Sequence, residues 1–308
     1  MITMDVFYET IKNDVDKKIR DCVNSENNKK LEYLSEGGKR WRSFLCILAF
    51  NACGGTKEGY QKALDLAVAL ELLHSASLVH DDIIDWDLKR RGKLSYFKAF
   101  GISDAILMGH EAIVIGLKKL IGHDQKILET CLDVWEMSLK GQFKEIDKRE
   151  NILKHTGFVN NLYFEVIQNK TASLFAGAAK IGSQEAKANA ELQEVLWEYG
   201  RCLGVAFQLD DDFRDINNES TESILVAWVL SQLDDVTKKS LMQSMKKNSK
   251  VGDVFSKFKI NLEDIFNREI DKMKQKAKDL AKNKIIPESE YKILLAEVPD
   301  ALIKISKK

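Results

Sequence analysis

The chain has 308 residues, and its 47 lysines and arginines are balanced by 47 aspartates and glutamates. A net charge of +0 provides no overall attraction to nucleic acid or to an anionic membrane surface, so any recognition of phosphate must be local. Hydrophobic residues make up 44% of the chain and charged residues 31%, which is typical of a globular protein with an ample core.

Proline and cysteine usage narrows the class of protein further. The prolines, Pro287 and Pro299, both lie near the C-terminus, which predicts a nearly all-helical chain. The 5 cysteines are odd in number and form no CxxC pair, which argues against a disulfide framework or a zinc site. No segment reaches the ~18 uninterrupted apolar residues of a transmembrane helix, and the N-terminus has no apolar stretch of signal-peptide type. We therefore expect a soluble, cytoplasmic protein with no transmembrane segment.

Apolar periodicity predicts the helices of the N-terminal half. Apolar residues recur every four positions from Phe7 to Val23, a pattern that is typical of an amphipathic helix with one buried stripe. The stretch from 58 to 85 is dense in Leu, Ala and Val and predicts a long central helix of about 40 Å. A loop follows, and residues 102–121 resume a helical pattern in which Gly109 and Gly116 are predicted close-packing points.

The C-terminal half shows the same character. We predict helices at about 125–148, 157–181 and 185–213, and an amphipathic helix with a lysine-rich solvated face over about 260–280. No linker rich in Ser, Pro or Gly divides the chain. The sequence therefore predicts one domain, residues 1–308, built as a helical bundle.

Two copies of an aspartate cluster, DDxxD, each follow an apolar helical stretch. Residues i and i+4 share one face of a helix, where like charges cost roughly 0.2–0.5 kcal/mol per pair, and a bound cation removes that repulsion. Oxygen ligands suit Mg²⁺, which prefers one or two carboxylates together with substrate phosphates. A solvated acidic helix end is the plain alternative for one copy, but two copies favour a pair of facing clusters that clamp a diphosphate. The clusters are Asp81, Asp82 and Asp85, and Asp211, Asp212 and Asp215.

Basic residues lie close to the first cluster and also after a glycine pair. The segment Gly37–Arg42 reads GGKRWR, and Arg90 and Arg91 precede Gly92. Glycine permits a close approach of the backbone to phosphate, and guanidinium groups bind phosphate oxygens bidentately. Each motif alone is weak, because an exposed basic turn has the same composition.

Taken together, the motifs are specific. GGKRWRS, LLHSASLVHDDIID, RRG, GQFKEI, KTASLF and FQLDDDFRD occur over residues 37–215 in an order and spacing that resemble the trans-prenyl diphosphate synthase family. The resemblance implies the all-α isoprenoid synthase fold, a helical bundle around a deep central cavity that runs between the two aspartate-bearing helices. It also implies a homodimer.

The resemblance further implies a role for individual residues. Mg²⁺ ions held by the aspartates of both clusters would bridge to the allylic diphosphate, and Arg40 would not contact isopentenyl diphosphate. The implied isopentenyl diphosphate ligands are Lys39, Arg42, His74 and Arg91, and the implied allylic diphosphate ligands are Arg90, Lys170, Thr171 and Gln208.

The implied reaction joins isopentenyl diphosphate to an allylic diphosphate. Metal and cations would stabilise the departing diphosphate, the isopentenyl double bond would attack the allylic cation, and loss of a proton would complete the product. In this family the residues just before the first cluster set the depth of the product shaft. Here they are the small Ala76 and Ser77, so we expect geranylgeranyl diphosphate, although a longer product stays open.

The sequence departs from the family pattern at several points. Ser43 replaces a proline, His110 replaces an aspartate, and the segment after Asp215 lacks the glycine- and lysine-containing loop that normally lies over the allylic diphosphate. Lysines from elsewhere would then have to cover the site. The alternatives that stay open are a class I terpene cyclase and a noncatalytic or weakly active subunit that modulates another prenyl synthase.

Overall fold

The computed structural model describes residues 2–22, 28–148, 159–219, 223–245 and 251–306. Across these ranges the regular structure is helical, apart from one two-stranded antiparallel hairpin, so the all-α prediction is confirmed. The helices are α1 Met4–Cys22, α2 Asn28–Ser35, α3 Trp41–Ala52, α4 Tyr60–Asp85, α5 Tyr96–Phe100, α6 Ile102–Leu120, α7 Gln125–Lys148, α8 Val159–Ile167, α9 Ser173–Glu185, α10 Ala190–Asp215, α11 Ile224–Ser231, α12 Asp235–Ser244, α13 Val251–Lys257, α14 Leu262–Ala281 and α15 Glu290–Ser306. The strands are β1 Lys89–Arg90 and β2 Lys93–Leu94.

The contacts of the chain group into two compact units. The first comprises Met1–Cys131, Ala178–Leu196 and Asn283–Leu295, and the second comprises Leu132–Gly177, Trp197–Lys282 and Ala296–Lys308. The first aspartate cluster belongs to the first unit and the second cluster to the second unit. The single domain over residues 1–308 stays a prediction.

Helix α4 is the centre of the first unit and packs most extensively against α6 and α3. An added Cβ at Gly109 would lie 2.3 Å from His80 Nε2, and one at Gly116 would lie 3.0 Å from Leu73 Cγ. Each partner lies two helical turns from the other, so α6 runs antiparallel along α4. The two glycines are therefore close-packing points, as predicted.

The same helix passes a test of membrane-spanning character. Tyr60–Asp85 is long and apolar enough to cross a membrane by length and composition, and 67% of its most apolar window is buried inside the protein. That burial is what a central helix of a globular unit shows.

Ser43, which stands in place of the family's proline, joins α3 to α4. Its side chain is fully buried, and its hydroxyl donates a hydrogen bond of 2.7 Å to the carbonyl of Ala67. A buried hydroxyl needs such a partner, and this one ties the start of α3 to the central helix.

The second unit has a core that is built around Trp228 of α11. The indole is fully buried, stacks on Tyr163 with ring centroids 4.7 Å apart, and meets Phe266 edge-on at 5.0 Å. Helices α8, α11 and α14 thus meet at one aromatic cluster, which also includes Phe164.

Two predicted helices differ from the structure by more than a few residues at one end. The helix predicted over 157–181 is interrupted by a π-helical turn, Gln168–Ala172, and continues to Glu185; residues 157 and 158 lie outside the described ranges. The helix predicted from 185 begins at Ala190, because the side chain of Asn189 accepts a 2.9 Å hydrogen bond from the Leu192 amide and caps the helix there.

Candidate active site

The first aspartate cluster occupies the end of α4. Asp85 is the last helical residue, and Trp86 ends the helix in the left-handed conformation, with φ 56. The helix therefore carries Asp81, Asp82 and Asp85 where the macrodipole is unfavourable for anions. A cation bound at this end would offset that penalty.

Asp82 is the buried member of the first cluster. Its side chain is 2% exposed and accepts a 2.7 Å hydrogen bond from Arg90 Nε, together with a second contact from the same guanidinium. Burial raises the pKa of Asp82, and Arg90 partly offsets the rise. Arg90 also lies 3.2 Å from Asp87. Arg90 and Asp82 thus form a hydrogen-bonded ion pair at the C-terminal end of α4.

The predicted loop after α4 contains a tight hairpin that positions the arginines. Arg90 pairs with Lys93 across the hairpin, and the turn residues Arg91 and Gly92 have φ values of 53 and 79. Positive φ at both positions is typical of a type I′ turn, which glycine adopts readily and arginine rarely. The strained Arg91 donates a 2.9 Å hydrogen bond from Nη1 to the carbonyl of Glu36. The hairpin thereby joins the segment that contains the glycine pair.

Arg40 is committed to a buried ion-pair network. It is 5% exposed, with Nε 2.7 Å from Asp16, Nη1 3.2 Å from Glu71 and Nη2 2.6 Å from the carbonyl of Ser35. These contacts tie the segment around Arg40 to α1 through Asp16 and to α4 through Glu71. That Arg40 does not contact isopentenyl diphosphate stays a prediction.

The predicted isopentenyl diphosphate ligands Lys39 and Arg42 flank that network. Lys39 has an exposed side chain, and its carbonyl accepts a 2.5 Å hydrogen bond from the Tyr8 hydroxyl. Arg42 is half-buried in the first turn of α3, an end of the helix that also attracts anions. The roles of Lys39 and Arg42 as isopentenyl diphosphate ligands stay predictions.

His74 lies on α4 beside these arginines. Within the described residues its buried Nδ1 has no hydrogen-bond partner. Burial lowers the pKa of His74 well below its usual value, and the positive charges of Arg42 and Arg91 lower it further. The imidazole is therefore neutral at neutral pH and can offer one donor and one acceptor to a ligand.

Because the unfolded chain binds a proton at His74 more readily than the folded protein does, His74 makes the free energy of unfolding fall as pH drops below about 6.5. The expected slope is about 1.4 kcal/mol per pH unit for one proton. Asp212, whose pKa is raised to about 7, contributes the opposite slope below that pH. The test is therefore a difference between variants, with urea unfolding measured from pH 5 to 8.

Relative to the parent protein, His74→Gln should become more stable as pH falls from 6.5 to 5. His110→Gln, at an exposed position of α6, is the matched control and should track the parent. Parallel pH curves for the parent protein and His74→Gln would contradict a depressed pKa at His74.

The second cluster lies at the end of α10. Asp211 is 2.7 Å from Arg214, which also lies 3.1 Å from Asp210, and Asp215 is exposed as the last helical residue. Burial raises the pKa of Asp212 to about 7, despite two hydrogen bonds that oppose the rise. A bound cation would keep that carboxylate ionised.

A chain of hydrogen bonds holds Asp212. Its Oδ1 accepts a 2.8 Å hydrogen bond from Gln208, whose Oε1 accepts one of 2.7 Å from Thr171. Its Oδ2 accepts a 2.5 Å hydrogen bond from the Tyr163 hydroxyl. The structure thus brings together the predicted Gln208, Thr171 and Asp212, and adds Tyr163, which the sequence did not single out. No local pattern marks this tyrosine.

Lys170 lies in the π-helical turn and is 2.8 Å from Glu145 of α7. An added Cβ at Gly141 would lie 2.6 Å from the Lys170 nitrogen, so only glycine permits this close approach of the backbones. The GQFKEI motif therefore provides both the gap and the carboxylate that position Lys170.

The predicted chain-length residues differ in their surroundings. Ala76 is fully buried on the side of α4 that carries Leu73 and His80 toward α6, whereas Ser77 is half-buried and shares a face with Asp81. Their role in product length stays a prediction.

The segment after Asp215 forms a 3₁₀ turn, Ile216–Asn218, and α11 begins at Ile224. No lysine occurs from 216 to 232.

Mg²⁺ fits the donor chemistry of both clusters. In the part of the chain that the structure describes, no group of three His, Cys, Asp or Glu side chains forms a ready cage for a cation. Mg²⁺ does not require one, because it binds through one or two carboxylates and completes its shell with water and substrate phosphate. The clusters provide hard oxygen ligands alone, including the buried Asp82 and the Asp212 carboxyl.

Comparison with known proteins places these features in a family. The polyprenyl synthetase family model matches residues 25–224. The chain is 35% identical over 176 residues to a geranylfarnesyl diphosphate synthase of Methanosarcina mazei, a match that covers 57% of each chain and thus little more than half of that relative. It is 33% identical over 269 residues to a geranylgeranyl diphosphate synthase of Saccharolobus solfataricus, covering 79% of each chain.

A solved structure agrees with these relatives. The geranylgeranyl pyrophosphate synthetase of Geoglobus acetivorans superposes with a TM-score of 0.78 at 25% identity, covering 97% of this chain and 99% of that one. The match to the family model spans the glycine pair, both arginine-bearing segments and both aspartate clusters. The chain belongs to the polyprenyl synthetase family.

Proposed function

We propose that the protein is a Mg²⁺-dependent trans-prenyl diphosphate synthase, which condenses isopentenyl diphosphate with an allylic diphosphate. The observation that carries the proposal is the presence of two aspartate clusters at helix ends, each with a carboxyl whose pKa burial raises. The cations that the hairpin and the GGKRWR segment assemble beside the first cluster provide a second diphosphate site, which a terpene cyclase does not need.

The proposed chemistry requires two diphosphates to be held apart. Mg²⁺, when bound by the clusters, supplies positive charge that stabilises the allylic diphosphate as a leaving group. Arg90, Lys170 and Gln208 orient that diphosphate, whereas Lys39 and Arg42 hold the isopentenyl diphosphate so that its double bond faces the allylic carbon. The allylic C–O bond breaks, a C–C bond forms, and a proton leaves to the released diphosphate.

We further propose geranylgeranyl diphosphate as the main product, because Ala76 and Ser77 are small. Ala76→Phe should shorten the main product to fifteen carbons or fewer, since in this proposal the size of the side chain at position 76 sets the depth of the product shaft. Chain lengths are measured by chromatography of the dephosphorylated products. Ala76→Ser is the size control and should keep the parent product. An unchanged product length in Ala76→Phe would contradict the role of this position.

A homodimer is supported by an exposed apolar stripe on α6. Ile106, Leu107 and Val114 are 41%, 68% and 48% exposed, which is unusual for large apolar side chains on one helix. Burial against a second copy would remove this surface from water.

We also propose a cytoplasmic location. The cysteines, which include the buried Cys46 and Cys131, are free thiols, as is usual for proteins of a reducing compartment.

The function is tested with purified protein, Mg²⁺, labelled isopentenyl diphosphate and allylic diphosphates of ten, fifteen and twenty carbons. An elongated diphosphate supports the synthase. A hydrocarbon product formed without isopentenyl diphosphate would show a cyclase instead. Product that appears only when a second prenyl synthase subunit is added would show a modulating subunit. This alternative is tested because the lysines that the family has after Asp215 are missing.

A further inference from the structure

Tyr163 lies outside the predicted ligand set and donates a hydrogen bond to Asp212. The phenol is 3% exposed, and its hydroxyl lies 2.5 Å from Asp212 Oδ2. This is the short distance expected for a hydroxyl that donates to a carboxylate. With Gln208 on Oδ1, both oxygens of Asp212 receive a hydrogen bond.

The ring of Tyr163 packs against the indole of Trp228. The two rings stack with centroids 4.7 Å apart and an interplanar angle of 18°, and the indole is fully buried. Within the described residues the indole Nε1 has no hydrogen-bond partner, so the ring contributes through packing and not through its N–H. Phe164 and Phe266 close the cluster at edge-on angles.

The origin of this support lies in the segment that departs from the family pattern. After Asp215 comes the 3₁₀ turn Ile216–Asn218, and the next helix in the sequence is α11, whose residues ILVAWVLS are buried at every position from Ile224 to Leu230. Trp228, which stacks on Tyr163, therefore belongs to the same segment, residues 216–232, that lacks the lysines. The segment without the family's lysines thus contributes an aromatic ring that packs against the tyrosine bound to Asp212.

A carboxylate that must bind a cation benefits from being held in one orientation before the cation arrives. Groups that orient metal ligands typically change metal affinity or activity by about 10–100-fold when they are removed. Without Tyr163, the Asp212 carboxylate would have to be ordered when the cation binds, because Oδ2 would lose the hydrogen bond from the phenol hydroxyl.

We infer that Tyr163, held by Trp228, is a positioning residue that orients the Asp212 carboxylate for Mg²⁺ bound together with the allylic diphosphate. The inference rests on the proposed function and names a residue and a support that the aspartate motif does not contain. Gln208, which accepts a hydrogen bond from Thr171, and Tyr163 each donate to one oxygen of Asp212.

The test is Tyr163→Phe, which keeps the ring and its stacking and removes only the hydroxyl. The Mg²⁺ concentration for half-maximal activity should rise about 10–100-fold, while the KM for isopentenyl diphosphate changes less than about threefold. Calorimetric titration of Mg²⁺ in the presence of inorganic diphosphate should show a loss of affinity of the same size. Trp228→Phe, which keeps an aromatic ring behind Tyr163, should give a smaller shift in the same direction.

Tyr60→Phe is the matched control. The Tyr60 hydroxyl also donates to a carboxylate, that of Asp14 at 2.7 Å, but Tyr60 lies on α4 and Asp14 on α1, both in the first unit. It should leave the Mg²⁺ dependence unchanged. If Tyr163→Phe lowers the melting temperature yet retains the parent Mg²⁺ affinity, Tyr163 has only a structural role and the inference is wrong. A parent protein without prenyl transfer would overturn the proposed function instead, and the calorimetric comparison would still decide the role of Tyr163.

Discussion

Asp82→Asn should reduce kcat/KM for prenyl transfer on the order of 10³-fold while the protein stays folded. Preorganised charge at a leaving group typically contributes 10²–10³-fold per interaction, and Asp82 contributes both to the proposed Mg²⁺ site and to the position of Arg90. Asparagine keeps the size of the side chain and an oxygen that accepts from Arg90, so the loss reports the missing charge. Initial rates at saturating Mg²⁺ measure the effect, and circular dichroism checks the fold.

The control for this substitution is provided by the same arginine. Asp87 also contacts Arg90, at 3.2 Å, but its side chain is 52% exposed and it lies outside the cluster. Asp87→Asn should stay within about threefold of the parent, because exposed ion pairs contribute little. Equal losses in the two variants would mean that the position of Arg90, and not a metal site at Asp82, limits the reaction.

Arg42→Met should raise the KM for isopentenyl diphosphate by about 10²-fold and leave the KM for the allylic diphosphate within about threefold. Loss of one partner from a hydrogen-bonded charge pair costs about 2–5 kcal/mol, and methionine retains most of the packing of the arginine stem. The two KM values are measured separately, each with the other substrate saturating. The selective change is expected because the guanidinium of Arg90 is engaged with Asp82 of the first cluster, whereas Arg42 lies in the first turn of α3, outside that ion pair.

Arg20→Met removes a positive charge from an exposed position in the last turn of α1 and is the control for general electrostatic attraction. It should change neither KM. If Arg42→Met weakens both substrates equally, the assignment of Arg42 to one diphosphate is wrong.

Much of this arrangement was predictable from sequence, because helical periodicity and aspartate spacing are local signals. Residues 58–85 predicted a long helix that the structure places at Tyr60–Asp85, and Gly109 marked a true contact between helices. The helix and its aspartate cluster depend on residues within a few turns of one another, and Gly109 stood out as a small residue within a local apolar pattern. The sequence therefore placed the first cluster at the end of a central helix correctly.

The parts that sequence did not predict depend on contacts between distant segments. Nothing near Arg40 shows that Asp16 and Glu71 engage its guanidinium, and nothing near Tyr163 shows that it meets Asp212. The π-helical turn at Lys170 has the same local apolar pattern as an α-helix and coincides with the approach of Gly141 of α7. These contacts become visible only once the helices are packed.

We propose that chemically different residues bind the two diphosphates. Carboxylates bind the allylic diphosphate through Mg²⁺, and side-chain cations bind isopentenyl diphosphate. The most direct measurement is calorimetric titration of the parent protein with an unreactive thio-analogue of the allylic diphosphate and, separately, with isopentenyl diphosphate, each with Mg²⁺ and with EDTA. We expect Mg²⁺ to tighten binding of the allylic analogue at least about 100-fold and to change isopentenyl diphosphate binding by less than about threefold. Equal Mg²⁺ dependence of the two ligands, or none for the allylic analogue, would contradict the account.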